Sequence, residues 1–125
     1  MSENEKPLAF VIEDDPEQQK IFSYAIREAG YTVEVIGNGT DAMQRLNEAT
    51  PALVILDLHL PVISGDEILR YIRADERLTA ISVILATADP LLAESLSAES
   101  DLVLLKPISF IQLRDLATRL RSVAQ

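Results

Sequence analysis

A chain of 125 residues can bury a real core as one ordinary domain, and 48% hydrophobic against 25% charged residues marks it as globular rather than disordered. No cysteine and a single histidine exclude disulfides, thiolate metal sites and a multi-histidine zinc site. A net charge of −9 argues against nucleic acid or an anionic membrane as direct partner; the polar residues Met1 to Lys6 are no signal peptide, and no apolar run reaches spanning length, which points to the cytoplasm.

In chain order, Leu8 to Ile12 is a short buried strand that runs directly into Glu13, Asp14 and Asp15. Asp15 is placed to cap a helix whose first residue is Pro16, and Ile21, Phe22, Ala25, Ile26 and Ala29 recur on one face before Gly30 ends it. Tyr31 to Ile36 is a β-branched second strand. Asn38 to Ala49 follows as a helix with Ala42, Leu46 and Ala49 inward, stopped by Pro51. Leu53 to Leu56 is a continuous apolar run, read as a strand buried on both faces, and it ends on a lone carboxylate, Asp57. Ser64 or Asp66 opens a third helix bearing Ile68, Leu69, Tyr71 and Ile72. Ile81 to Leu85 is the fourth strand, with Ala86 to Pro90 as the loop after it. Leu91 to Leu96 reads as a brief helix, Leu102 to Leu105 as the fifth strand. Ser109 caps a last helix through Phe110, Leu113, Leu116, Ala117, Leu120 and Val123.

Five alternations of strand and helix, without repeats or linkers, require a parallel sheet with helices on both faces. The expected fold is one doubly wound α/β domain spanning residues 1–125, with 1–6 as a flexible N-terminal tail. In such a sheet the ends of strands one, three, four and five share one crevice. Those ends carry Glu13 and Asp14, then Asp57, then Thr87, then Lys106. Three carboxylates in one crevice repel one another unless one stays protonated or a cation compensates them. A hard divalent ion suits the oxygen donors and leaves room for a phosphate oxygen. An ammonium and a hydroxyl beside them suit an incoming dianion, so the set is arranged for attack on phosphorus. Any one of these residues alone is better explained as a cap or a buried ion pair; five strand-end groups together are not.

Ile12 to Asp15, Leu56 to Leu58 with Pro61 and Gly65, Thr87-Ala88, and Lys106-Pro107 occur in this order on these strands. On those residues the chain resembles the receiver domain of two-component response regulators, the single-domain chemotaxis regulators among them, over nearly its whole length. The resemblance implies a flavodoxin-like sheet of order 2-1-3-4-5. It implies that Asp57 accepts a phosphoryl group from a histidine kinase or phosphotransfer protein, with slow self-hydrolysis rather than enzymatic turnover. It further implies Mg²⁺ bound by Asp14 and Asp57 directly, by Glu13 directly or through water, and by the backbone carbonyl of His59. Thr87 would hydrogen-bond the phosphoryl oxygens, Lys106 would pair with them, and the small Ala88 would leave them room. Lys106-Pro107 is expected to be cis. The expected partners, besides the phosphodonor, are a downstream protein or a fused output domain, and a homodimer is compatible with all of this. Nothing after Val123 resembles an output domain, which leaves a stand-alone regulator and one part of a longer protein both open.

Three departures from the family bear on mechanism. Val103 occupies the place, three before the lysine, where an inward-turning aromatic is usual. The segment from Ala88 to Asp101 is shorter than usual, so the fourth helix should be short, shifted or partly frayed. His59 lies two residues past Asp57; it reads first as a solvated loop residue, and second as a group that alters how water reaches an acyl phosphate. The first two departures favour an alternative, a degenerate receiver-like interaction module that works without phosphorylation; the intact Glu13, Asp14, Asp57, Thr87 and Lys106 favour the phosphoacceptor.

Other signals carry less. Gly37 to Ala42 matches a dinucleotide-binding pattern, but it follows the second strand rather than the first, and a two-glycine turn explains it. An aspartyl-phosphate phosphatase would want a second acid where His59 stands. Arg114, Arg119 and Arg121 make the last helix basic, which complements its dipole and also offers a docking face to an acidic partner.

Overall fold

The computed structural model describes residues 6–124, with side chains through Arg121. Apart from Lys6, the expected flexible tail lies outside the described residues, as does the side chain of Val123. The sheet has five parallel strands in the order β2-β1-β3-β4-β5, where β1 is Leu8–Ile12, β2 Thr32–Ile36, β3 Leu53–Asp57, β4 Ser82–Thr87 and β5 Leu102–Leu105. The helices are α1 (Pro16–Glu28), α2 (Gly39–Glu48), α3 (Gly65–Ala74), α4 (Pro90–Leu96) and α5 (Phe110–Ala124).

The central strands are buried on both faces because alternate side chains feed two cores. Phe10, Ile12, Val54, Leu56, Val83 and Leu85 pack with Leu46, Leu69 and Ile72 on one side. Ala9, Val11, Leu53, Ile55 and Ile84 pack with Phe22, Ile26, Leu113 and Ala117 on the other. The doubly wound architecture and strand order agree with the sequence reading.

Caps follow the sequence closely. Asp15 accepts from the Gln18 N–H at 2.9 Å, Asn38 from Asp41 at 2.8 Å, and Ser109 from Gln112 at 3.0 Å. Ser64 stands at the N-cap of α3, without a side-chain bond to its backbone.

Boundaries move where pairing outweighs local signal. β4 starts at Ser82 and continues through Thr87, because Asp57 pairs with Ala86 and Thr87 with Leu105. Ile21, expected inward, is exposed at the edge of the apolar face of α1. Two 3-10 turns, Glu76–Leu78 and Ser97–Glu99, escape the periodicity reading because three residues are too few to show one. Arg121 does not join a basic outer face. Its guanidinium lies where a Cβ on Gly30 would stand, and Gly30 has φ +101°, so the glycine both ends α1 and seats α5. Arg114 pairs with Asp115 at 3.1 Å.

Candidate functional site

The crevice at the carboxyl edge of the sheet collects the five expected groups. Glu13 follows β1 directly, its N–H bonded to the Ile36 carbonyl of β2 at 3.0 Å. Its side chain is buried, and both oxygens are engaged: Oε2 accepts from the Asp15 N–H at 3.1 Å, Oε1 from Lys106 Nζ at 3.0 Å. Gln19 reaches back from α1 to the Glu13 carbonyl at 2.7 Å. Asp14, one residue on, is exposed at the rim.

Asp57 is the last residue of β3 and is only 4% exposed. The pleat and the buried strand leave its carboxylate at the crevice floor, where Oδ1 accepts from the His59 N–H at 3.1 Å and lies 3.5 Å from Lys106 Nζ. Lys106 is placed by the ladder: its own N–H continues β5 by bonding the Thr87 carbonyl at 2.8 Å. The Lys106-Pro107 peptide is cis, as expected.

One carboxylate oxygen from each of Glu13, Asp14 and Asp57 lies within 4.8 Å of the other two. Burial pushes the Glu13 carboxyl up to about 7, against the pull of the Asp15 N–H and Lys106 hydrogen bonds, and the Asp57 charge adds to the rise. Burial alone would lower Lys106, but its bond to Glu13 and the charges of Asp57 and Glu13 hold it above its ordinary range. One ammonium thus leaves the three acids short of positive charge. An all-oxygen donor set of this spacing and sign fits a hard divalent cation.

Thr87 ends β4 fully buried. Its Oγ1 accepts from the Asp89 N–H at 3.0 Å and lies 3.1 Å from His59 Nε2. Of the expected residues, the structure brings Glu13, Asp14, Asp57 and Lys106 into one cluster, with Thr87 beside it on β4. It also corrects the reading of His59: the ring is exposed, yet it does not point idly into solvent. Asp89 falls in the expected loop, although a carboxylate before Pro90 is a strong capping signal; its side chain caps α4 through Leu91 and Leu92.

Val103, in place of the usual aromatic, is partly buried against the core that α2 and α3 complete. Leu91, Leu105 and Ile111 are exposed on α4, β5 and α5. Among the described residues no helix is long and apolar enough to cross a membrane.

The family model described as the response regulator receiver domain matches residues 9–118. The chain is similar to the DNA-binding response regulator MtrA of Mycolicibacterium paratuberculosis, 30% identical over 112 residues that make up 90% of this chain and 48% of that protein. It spans 33% to 48% of the length of the MtrA regulators it matches first. Among solved structures, the signal receiver domain of a signal transduction histidine kinase from Syntrophus aciditrophicus superimposes with a TM-score of 0.83 at 30% identity, covering 94% of this chain and 91% of that one. The chemotaxis response regulator CheY4 of Vibrio cholerae shares the fold, with a TM-score of 0.83 at 21% identity over 93% of this chain and 99% of that one.

Proposed function

The chain belongs to the response regulator receiver domain family, a signalling family, and from that premise we propose that Asp57 is its phosphoacceptor. The observation that carries this reading is the buried Asp57 carboxylate, 3.5 Å from Lys106 Nζ and within 4.8 Å of the Glu13 and Asp14 oxygens. Oδ1 is held by the His59 N–H, which leaves Oδ2 to attack phosphorus. The donor is a phosphohistidine of a histidine kinase or phosphotransfer protein. As the Oδ2–P bond forms, the P–N bond breaks and the departing imidazole keeps its electron pair and takes up a proton.

Glu13, Asp14 and Asp57, with the His59 carbonyl, would hold a magnesium ion, whose charge when bound offsets the carboxylates and draws the phosphoryl oxygens in. Lys106, fixed between Glu13 and Asp57, supplies the second positive charge and pairs with a phosphoryl oxygen. Thr87 donates its hydroxyl proton to another, and Ala88 keeps the approach open. Among the described residues no inserted element caps the site for a separate substrate, and a phosphoacceptor that hydrolyses slowly is the reading this suits.

The signal then passes by protein contact, and exposed Leu91, Leu105 and Ile111 offer apolar area for a downstream protein or output domain. The setting is the cytoplasm. The intact cluster supports this reading over a degenerate module, in which nothing would require a buried carboxylate, ammonium and hydroxyl together. The test is incubation with acetyl phosphate and Mg²⁺ followed by intact mass. A phosphate adduct that needs Mg²⁺ and disappears in Asp57→Ala is expected; an unmodified wild type under all phosphodonors overturns the reading.

A further inference from the structure

We propose that His59 is a positioning residue that holds the Thr87 hydroxyl in the unphosphorylated domain and competes with the phosphoryl group for its proton. The inference rests on the phosphoacceptor reading only in its second half; the His59–Thr87 link stands by itself.

A threonine hydroxyl has one proton to donate and two lone pairs to accept with. Thr87 is fully buried, so its proton needs an acceptor inside the protein. The Asp89 N–H at 3.0 Å is a donor and fills a lone pair, so it cannot take that proton. His59 Nε2 at 3.1 Å is the acceptor within reach among the described residues. Thr87 Oγ1–H therefore donates to Nε2, and the imidazole carries its own proton on Nδ1, on an exposed ring that water can satisfy. The backbone makes this geometry stable, because the His59 N–H is tied to Asp57 Oδ1 at 3.1 Å. The same residue thus touches the carboxylate through its main chain and the hydroxyl through its ring.

A phosphoryl oxygen on Asp57 is a charged acceptor and makes a stronger bond than a neutral imidazole. Thr87 has one proton and cannot donate it to both, so giving it to the phosphoryl group breaks the Oγ1–H···Nε2 bond to the His59 ring. This gives the domain a lever that does not pass through position 103, where Val103 offers no ring to follow the threonine.

Two measurements test the proposal. In metal-free protein, the nitrogen resonances of the His59 ring should show an acceptor Nε2 in the wild type and a changed Nε2 signal in Thr87→Val. Identical ring signals in the two proteins overturn the link. Beryllofluoride with Mg²⁺ serves as the phosphoryl mimic, and His59→Ala should bind it about three- to tenfold more tightly than wild type, one neutral hydrogen bond's worth. In the Thr87→Val background the same substitution should change nothing. Equal or weaker binding by His59→Ala, or an equal gain in both backgrounds, overturns the competition. A wild type that accepts neither phosphate nor beryllofluoride defeats the phosphoacceptor reading and the competition with it, while the ring signals still decide the link.

Discussion

Lys106 and Glu13, 93 residues apart, are joined at 3.0 Å in a site where the glutamate is almost completely buried. The pair ties the end of β5 to the end of β1 across β3 and β4, and it holds the ammonium beside Asp57 before any phosphate arrives. Lys106→Ala should therefore act twice. Without the ammonium, Glu13 can take a proton and become neutral, so the stability loss in the metal-free protein stays near about 1–3 kcal/mol, read as a lower urea midpoint. The rate of phosphate incorporation should fall about a hundredfold, as for loss of a fixed charge-stabilising donor. A variant that labels at the wild-type rate would show that Lys106 only pairs with Glu13.

Glu13 also sets a pH dependence. Its carboxyl is pushed by burial from the ordinary 4.5 up to about 7. Between those values the folded protein keeps a proton that the unfolded chain has lost, so the native state binds more protons and stability falls as pH rises. Below about 4.5 both states are protonated and above about 7 both are ionised, so the slope from this group is confined to that window. Thermal midpoints of protein in EDTA should decline across it through this contribution. Glu13→Gln, neutral throughout, should remove the decline, and excess Mg²⁺ should reduce it by favouring the ionised group. A wild-type slope unchanged by the glutamine would place the effect elsewhere.

The fold and the principal acids were legible because their signals are local. An apolar run ending on Asp57, a proline behind Asp15 and the period of α1 each depend on neighbours in sequence. The end of β4 and the distant partners were not. Thr87 reads as loop until its pairing with Leu105 extends β4, and nothing near His59 in sequence announces a threonine 28 residues away. Arg121 looked like surface charge because only the fold brings it over Gly30.

The short stretch before β5 is a further case of distant support, and it yields a prediction. Arg73 on α3 donates from Nε to the Glu99 carbonyl at 2.7 Å and from Nη1 to the Ile81 carbonyl at 2.9 Å. Its Nη2 meets Asp101 Oδ2 at 3.1 Å, and that oxygen also accepts the Val83 N–H at 2.7 Å. One side chain thus pins a segment too short for a full fourth helix. Arg73→Ala should speed amide exchange from residue 97 to 101 while leaving α1 protected, with a global loss of about 1–2 kcal/mol because the bonds are partly exposed. Unchanged exchange there would mean that α4 and its 3-10 turn hold by themselves.

Gly65 is required by close approach. A Cβ there would run into the Asp57 carbonyl oxygen and the Leu58 Cα, which are backbone and cannot swing aside. Gly65→Ala must push the start of α3 away from the end of β3. A loss of about 1–3 kcal/mol in urea unfolding is expected, together with slower labelling of Asp57, since the shifted backbone carries the acceptor. Full labelling speed with reduced stability would show that the displacement is taken up by α3 alone.

Val62 stores strain in the loop that leaves Asp57. Its φ is +69°, and the Ile63 N–H closes a three-residue turn onto the Pro61 carbonyl at 2.8 Å. A β-branched residue in that conformation costs about 1–2 kcal/mol, and the positive-φ γ-turn is a strained form. The side chain is 93% exposed, so its removal forfeits almost no packing. Val62→Gly relieves the strain but frees the unfolded chain, which gives back about 0.4–1 kcal/mol. The net should be a gain of about 0.5–1 kcal/mol, read as a higher urea midpoint with an unchanged slope. Val62→Ala keeps the Cβ at positive φ and should gain less than glycine. If both variants lose stability, the valine must be earning its place through contacts in the folded loop, and its conformation is then not the source of strain argued from the turn.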